Sequence, residues 1–239
     1  MIIALLRKLK AGVRAIRTGM HRRRHEIIAE RQRREDAMQA EQMRLQQERA
    51  SIEQRPLKLH LGCGHIALEG FCNVDALATG AQNVVDDIRV LARFPESCAR
   101  EIYACHVLEH FAHDEIVPIL TRWFNVLEPG GQLRISVPDI DRIVRIYSKN
   151  FEHFQKPGHT PWIGLLYGGQ TTPYDFHKTG FNACWLRYLL EQVGFVDCAE
   201  YPHEPHFVPG TVDASLAFEP FGEFLSLNMI ARRPDNAHG

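Results

Sequence analysis

Gly62-Cys63-Gly64 follows the apolar run 57–61, and Asp75 closes a second apolar run eleven residues after Gly64. Glycine lacks Cβ and tolerates positive φ, so such a turn lets a ligand approach the backbone closely. An acid at the end of a second strand can accept hydrogen bonds from a ribose diol. A third run, 83–85, ends in Asp86-Asp87, where a carboxylate can receive an adenine amino group. Together these residues describe a pocket for an adenosyl ligand. The turn has two glycines rather than G-x-G-x-x-G, and no Lys-Ser/Thr pair follows it. Both facts disfavour pyrophosphate and triphosphate ligands.

A second group is rich in imidazoles and acids. His106-Val107-Leu108-Glu109-His110 follows the run 101–105, and Asp175 and His177 stand together further on. A hydroxyl nucleophile is barely ionised at neutral pH and needs a base. His177 is one candidate, with Asp175 on the same side of an extended segment to orient it. Glu109 and His110 are the others. Each has a structural alternative: His177 closing the pocket, Glu109 and His110 capping a helix start. Residues 106–110 also spell H-x-x-E-H, a zinc-peptidase pattern, and His113 extends the series. That chemistry needs both histidines on one helical face. His106 directly follows a strand-like run, so no metal site is expected.

These residues need elements to position them. From Leu57 onward, short apolar runs alternate with helical stretches, the signature of an α/β fold with a mostly parallel sheet. The pattern predicts strands at 57–61, 71–74, 83–85, 101–105, 132–137, 195–200 and 224–230. It predicts helices at 116–127, closed by Glu128-Pro129-Gly130-Gly131, and at 183–193, stopped by Gly194. Polar residues, glycine or histidine follow the strand ends repeatedly. In open α/β sheets the ligand crevice lies outside those ends. Residues 153–179, rich in Gly, Pro, His and aromatics, read as a substrate-covering insertion or as an irregular surface loop.

Four motifs then carry a family resemblance: residues 59–64 (LHLGCG), 70–75 (GFCNVD), 106–111 (HVLEHF) and 126–131 (VLEPGG). In this order and spacing the chain resembles the class I S-adenosylmethionine-dependent methyltransferases. It is most similar to the branch associated with glycosyltransferases and polysaccharide biosynthesis, to which residues 174–181 (YDFHKTGF) also correspond. The resemblance covers about residues 57–232. It implies a Rossmann-like class I methyltransferase fold: a seven-stranded, mostly parallel sheet, here with a helical N-terminal extension. It implies S-adenosylmethionine as cofactor. Leu61, Gly62, Cys63 and Gly64 would pass under the methionine moiety and ribose, and Asp75 would hold the ribose hydroxyls. Asp87 and Ile88 would face the adenine, in preference to Asp86. His106 and Val107 would lie beside the methionine end. His60 and Ile66 depart from the pattern, standing where many members carry an acid and a third glycine. The implied reaction is methyl transfer to a small-molecule or glycan acceptor, most simply O-methylation of a hydroxyl. The alternative is a non-catalytic adenosyl-binding module, recruited to a partner or a membrane by the N-terminal arm.

The arm stands apart by charge. Residues 1–55 carry 14 Lys and Arg against 7 Asp and Glu, whereas residues 56–239 carry 14 against 22. The formal net charge of −1 averages a basic arm and an acidic domain. Residues 1–20 place apolar side chains at helical spacing opposite basic ones. Such a helix suits an anionic membrane surface, its own domain, or a second subunit. Residues 21–54 have good helix propensity but keep no heptad, which points to a solvated helix or one that pairs with a partner. Without interleaved aromatics, nucleic acid is a poor fit. With 45% apolar and 24% charged residues the composition is that of a soluble globular chain. None of the six cysteines forms a C-x-x-C pair, so reduced thiols in a cytoplasmic protein are expected, with peripheral attachment at the inner membrane surface open to the arm.

Overall fold

The computed structural model describes residues 29–43, 57–156, 162–201, 217–218 and 221–235. The chain divides into two compact units, Met1–Ser51 and Ile52–Gly239. In the first unit, residues 29–43 form helix α1, exposed along its whole length. Arg31–Glu35 and Arg34–Glu30 ion pairs and a Gln32–Asp36 hydrogen bond link successive turns. Each such exposed pair is worth about 0.2–0.5 kcal/mol, enough to support a solvated helix. The amphipathic stretch 1–20 and the basic cluster 21–25 lie outside the described residues.

In the second unit, β1 (Leu57–Leu61), β2 (Cys72–Asp75), β3 (Val84–Val85) and β4 (Ala99–Cys105) are parallel neighbours. β5 (Leu127–Pro138) extends the parallel set beyond β4. β9 (Ser226–Arg232) runs antiparallel between β5 and β6 (Val196–Glu200). The resulting order, β3-β2-β1-β4-β5-β9-β6, is the seven-stranded, mostly parallel, Rossmann-like sheet of the class I methyltransferase fold. β7 (Ala217–Phe218) and β8 (Glu223–Phe224) form a separate antiparallel pair.

The central strands alternate, with one face apolar and the other carrying Lys58, His60, Asn73, Glu101 and Arg134. Leu59, Leu61, Val74, Ile102, Ala104 and Val137 are fully buried. Helix α2 (His113–Val126) adds Ile116, Ile119, Leu120, Trp123 and Val126 to this core. The Trp123 indole N–H donates to the Ile88 carbonyl at 2.9 Å, so its one polar atom is satisfied within the core. Helix α6 (Ala183–Val193) is capped by the Asn182 side chain and ends at Gly194 in the left-handed region.

Two differences from the sequence expectation matter for the site. β5 begins at Leu127, so the residues read as a helix stop lie within the strand, where it kinks at Gly130. The segment after β5 is not loop alone. Asp139 caps helix α3 (Ile140–Lys149), accepting from the Asp141 and Arg142 N–H groups, a cap worth about 1 kcal/mol. Short helices α4 (Phe151–Phe154) and α5 (Trp162–Tyr167) follow within the stretch read as a covering insertion. Ile143, Ile146, Phe154 and Leu225 form their own small core there. No helix among the described residues is long and apolar enough to cross a membrane.

Candidate active site

The sheet order turns at β1, leaving β2 on one side and β4 on the other, and a crevice opens beyond the strand ends. After Leu61 the chain turns through Gly62 (φ +66°) and Gly64 (φ +54°). A Cβ on Gly62 would lie 2.4 Å from Val107 Cγ2, so Val107, two residues past the end of β4, presses on the turn and leaves room for nothing larger than glycine. At Gly64 a Cβ would meet no atom within 4 Å, because that side faces the crevice. The Gly64 N–H donates to Asp75 Oδ2 and the Leu77 N–H to Asp75 Oδ1, both at 2.8 Å. Two backbone donors thus fix the carboxylate, and each oxygen keeps a lone pair for a ligand.

The crevice is a cavity of about 610 Å³, within the usual range for small-molecule sites. Gly62, Gly64, Asp75, Asp87, Ile88, His106 and Val107, seven of the residues the resemblance implies for the cofactor, line it. Leu61 and Cys63 do not: both side chains are buried in the core, on the side of the turn away from the cavity wall. Burial pushes the Cys63 thiol up to about 11, so it stays protonated at neutral pH. Asp86 serves the backbone, its oxygens accepting from the Asp87 and Arg93 N–H groups. Asp87 reaches the cavity but is gripped by Arg89, whose guanidinium hydrogen bonds hold its carboxyl below the usual range. His60 faces away from the cavity. Its Nδ1 lies 2.9 Å from Asn73 Oδ1, with Tyr103 and Phe71 packed around the ring. Burial pulls its pKa below the ordinary 6.5. The position where many class I members carry an acid is here a neutral polar link between β1 and β2.

The other end of the cavity is assembled from distant segments. His106 adopts φ +50°, uncommon for a residue with a side chain, and turns the chain from β4 into a 3-10 turn, Leu108–His110. The histidines of the H-x-x-E-H pattern therefore do not share a helix, and the zinc-peptidase geometry is absent. His106 Nε2 lies 2.9 Å from Ser226 Oγ, and its Nδ1 lies 3.3 Å from Glu109 Oε1. The Glu109 carbonyl accepts from both the Lys178 and Thr179 N–H groups, at 2.7 and 3.1 Å. Thr179 Oγ1 donates to the Phe111 carbonyl at 2.7 Å. These bonds strap segment 176–179 to the 3-10 turn and bring His177 against His110, with ring centroids 5.0 Å apart and nearly perpendicular.

The expected Asp175–His177 pair does not form. Asp175 folds back on its own loop, accepting from the Gly169 N–H, the Thr171 N–H and Thr171 Oγ1. These bonds hold its carboxyl below the usual range. His177 instead places Nδ1 3.1 Å from the Leu165 carbonyl. The Asp175 N–H closes a turn on the Thr172 carbonyl, and its carboxylate is spent on residues 169 and 171, so the two side chains do not pair. Burial lowers the His177 pKa, with the Glu109 carboxylate opposing, and the ring is neutral at pH 7. His110 and Asp175 line the large cavity. His177 lines a smaller neighbouring one of about 250 Å³. Glu109 is buried behind the wall.

The cavity wall also includes Tyr174, one of the aromatics of the 153–179 stretch, together with Leu77, Arg89, Glu115 and Lys178, which were not expected as site residues. Arg89 forms an ion pair with Glu115 as well as with Asp87. Lys178 sits within the strap segment, inside the 174–181 motif of the sequence.

No protein-family model matches the chain, and no curated protein does. Several solved structures are similar in fold. One is the 1,6-didemethyltoxoflavin-N1-methyltransferase of Burkholderia thailandensis, with bound 1,6-didemethyltoxoflavin and S-adenosylhomocysteine. It is 21% identical over 76% of this chain and 72% of that chain, with a TM-score of 0.46. An S-adenosylmethionine-dependent methyltransferase from Archaeoglobus fulgidus is 15% identical over 81% and 93%, with a TM-score of 0.47. Another from Methanosarcina mazei is 16% identical over 76% and 94%, with a TM-score of 0.45.

Proposed function

We propose that residues 56–239 form an S-adenosylmethionine-dependent methyltransferase acting on an oxygen of a small-molecule or glycan acceptor. The supporting observation is the cavity at the strand ends, where the bare face of Gly64 and the half-satisfied carboxylate of Asp75 stand together. An adenosyl ribose fits that pair: the backbone admits it, and Asp75 accepts from its hydroxyls. Asp87 and Ile88 would contact the adenine, with Arg89 holding the carboxylate in place. His106 and Val107 would lie at the methionine end. When bound, the cofactor supplies an electrophilic methyl group on a sulfonium. The chain's part is to hold the acceptor oxygen close and aligned, which accounts for much of the catalysis of such displacements. Activating that oxygen falls to the cluster of Glu109, His110 and His177. Tyr174 and Lys178, over the cavity, are placed to contact the acceptor. The basic arm, residues 1–55, would place the domain on a partner protein or an anionic membrane surface.

Calorimetry with S-adenosylmethionine and S-adenosylhomocysteine tests this reading. Saturable binding of both is expected, and no binding at millimolar ligand would remove the reading. Binding without turnover on sugar, nucleotide-sugar or phenolic acceptors would favour a non-catalytic adenosyl-binding module.

A further inference from the structure

Glu109, His110 and His177 each offer a donor atom within 4.8 Å of the others. We propose that these three residues bind a divalent transition-metal ion through one carboxylate and two imidazoles. The sequence reading expected no metal site, because the third ligand lies far along the chain from the first two.

The first support is Glu109 itself. It is 1% exposed, yet neither carboxylate oxygen accepts a hydrogen bond from the described residues. His106 Nδ1 stands 3.3 Å from Oε1, close enough for attraction but without hydrogen-bond alignment. A buried carboxylate with imidazoles for its only side-chain partners among the described residues is still costly, and a coordinated cation lowers that cost.

The second support is the orientation of both imidazoles. His110 Nδ1 lies 3.2 Å from the Phe176 carbonyl, and His177 Nδ1 lies 3.1 Å from the Leu165 carbonyl. A carbonyl only accepts, so each Nδ1 carries the proton and each Nε2 is left with its lone pair. Metal-bound histidines are held this way, with the far nitrogen donating to a carbonyl or carboxylate that fixes tautomer and ring orientation.

The third support is rigidity. The paired N–H donations of Lys178 and Thr179 to the Glu109 carbonyl lock the two ligand segments together through main chain. The cluster therefore does not depend on mobile side chains finding one another.

Two nitrogens and one oxygen suit zinc, cobalt, manganese or iron better than magnesium. Three protein ligands leave coordination positions open, as catalytic rather than structural sites do. His110 also lines the large cavity, so the ion would border the acceptor space. An acceptor hydroxyl bound there would release its proton to solvent more readily than when free. Its oxygen lone pair then forms the O–C bond as the C–S bond breaks, and that electron pair stays on sulfur. This role rests on the methyltransferase reading, whereas ion binding does not.

The test uses the full chain, washed with chelator and titrated with Co²⁺ by visible absorption and with Zn²⁺ by calorimetry. S-adenosylhomocysteine binding is measured separately. Saturable binding of both metals is expected. Glu109→Gln, which keeps the side-chain shape, and His177→Ala should each weaken it by more than about tenfold. Both should retain S-adenosylhomocysteine affinity, which shows that the domain is folded. No metal binding by the wild-type chain, or unchanged affinity in both variants, would overturn the site. Nucleoside binding without metal binding sinks the metal site alone, and metal binding without nucleoside binding sinks the methyltransferase reading alone.

Discussion

The two ends of the cavity are built in opposite ways. At the end proposed for the adenosyl ligand, Gly62, Gly64 and Asp87 follow strands of one parallel set, Asp75 ends another, and backbone N–H groups fix Asp75 directly. At the acceptor end, Glu109 and His110 come from a 3-10 turn, Asp175 from a loop, and His177 from a strap held by hydrogen bonds across about seventy residues of sequence. The first end inherits its geometry from the sheet. The second is assembled from segments distant in sequence, beside a small core of its own formed by α3, α4, α5 and Leu225. A crevice that needs one fixed ligand and one variable acceptor gains from this division, because loops can change without moving the strand ends.

The largest expected effect strikes the rigid end. Gly62→Ala places a Cβ 2.4 Å from Val107 Cγ2 at a positive φ. Strain and overlap together should cost about 3 kcal/mol of folding stability. Gly64→Ala shares the positive φ but meets no neighbour, so its stability loss should be smaller while nucleoside binding still falls. Denaturant unfolding and calorimetry on the pair would separate the two roles. Equal stability losses would mean that Val107 yields freely, and the sheet-end geometry would be softer than it looks.

Asp75→Ala comes next, with S-adenosylhomocysteine binding expected to weaken by on the order of 1–3 kcal/mol. Part of that loss would come from the turn, since the Gly64 and Leu77 N–H groups lose their acceptor. Asp75→Asn, which keeps one acceptor oxygen, should lose less than Asp75→Ala. Unchanged affinity in both would move the ribose away from this carboxylate.

The same contrast explains what the sequence revealed. β1 and α6 stand where their apolar periodicity and glycine punctuation predicted, because those signals are local. That Gly62, Gly64, Asp75 and Asp87 would share one crevice was legible, since a residue at a strand end is placed by the strand. Leu61 and Cys63 were harder, because motif membership does not say which way a side chain points, and both turn into the core. The Asp175–His177 pairing misled because alternation applies only to extended backbone, and Asp175 sits in a hydrogen-bonded turn. Helix α3 had a readable cap in Asp139, overlooked beside the stronger strand signal before it. Nothing local could show that His177 meets His110, since that contact depends on two main-chain bonds to the Glu109 carbonyl.

A smaller effect sharpens the flexible end. Asp175→Ala removes only exposed loop bonds and should cost less than about 1 kcal/mol of stability. It should leave the His177 titration, followed by NMR, where it was, because the imidazole is anchored on the Leu165 carbonyl. A marked shift of His177 in this variant would restore the pairing that the geometry denies.

The smallest effect reaches behind the rigid end. His60 is buried against Asn73 and Tyr103, and burial holds its folded pKa below 6.5. Below pH 6.5 the unfolded chain takes up a proton there that the folded chain refuses. Stability from this residue is therefore complete above the unfolded pKa and declines as pH falls, by at most about 1.4 kcal/mol per pH unit. His177 has the same sign and adds to the slope, so wild-type data alone cannot separate the two ends. His60→Gln keeps an amide donor for Asn73 and cannot take up the proton. Its unfolding free energy should fall less steeply with acid than the wild type's, while S-adenosylhomocysteine binding at neutral pH stays close to normal because the ring faces away from the cavity. If the slope is unchanged and binding drops instead, His60 acts on the cofactor after all, and the position would resemble the acid that many class I members carry there.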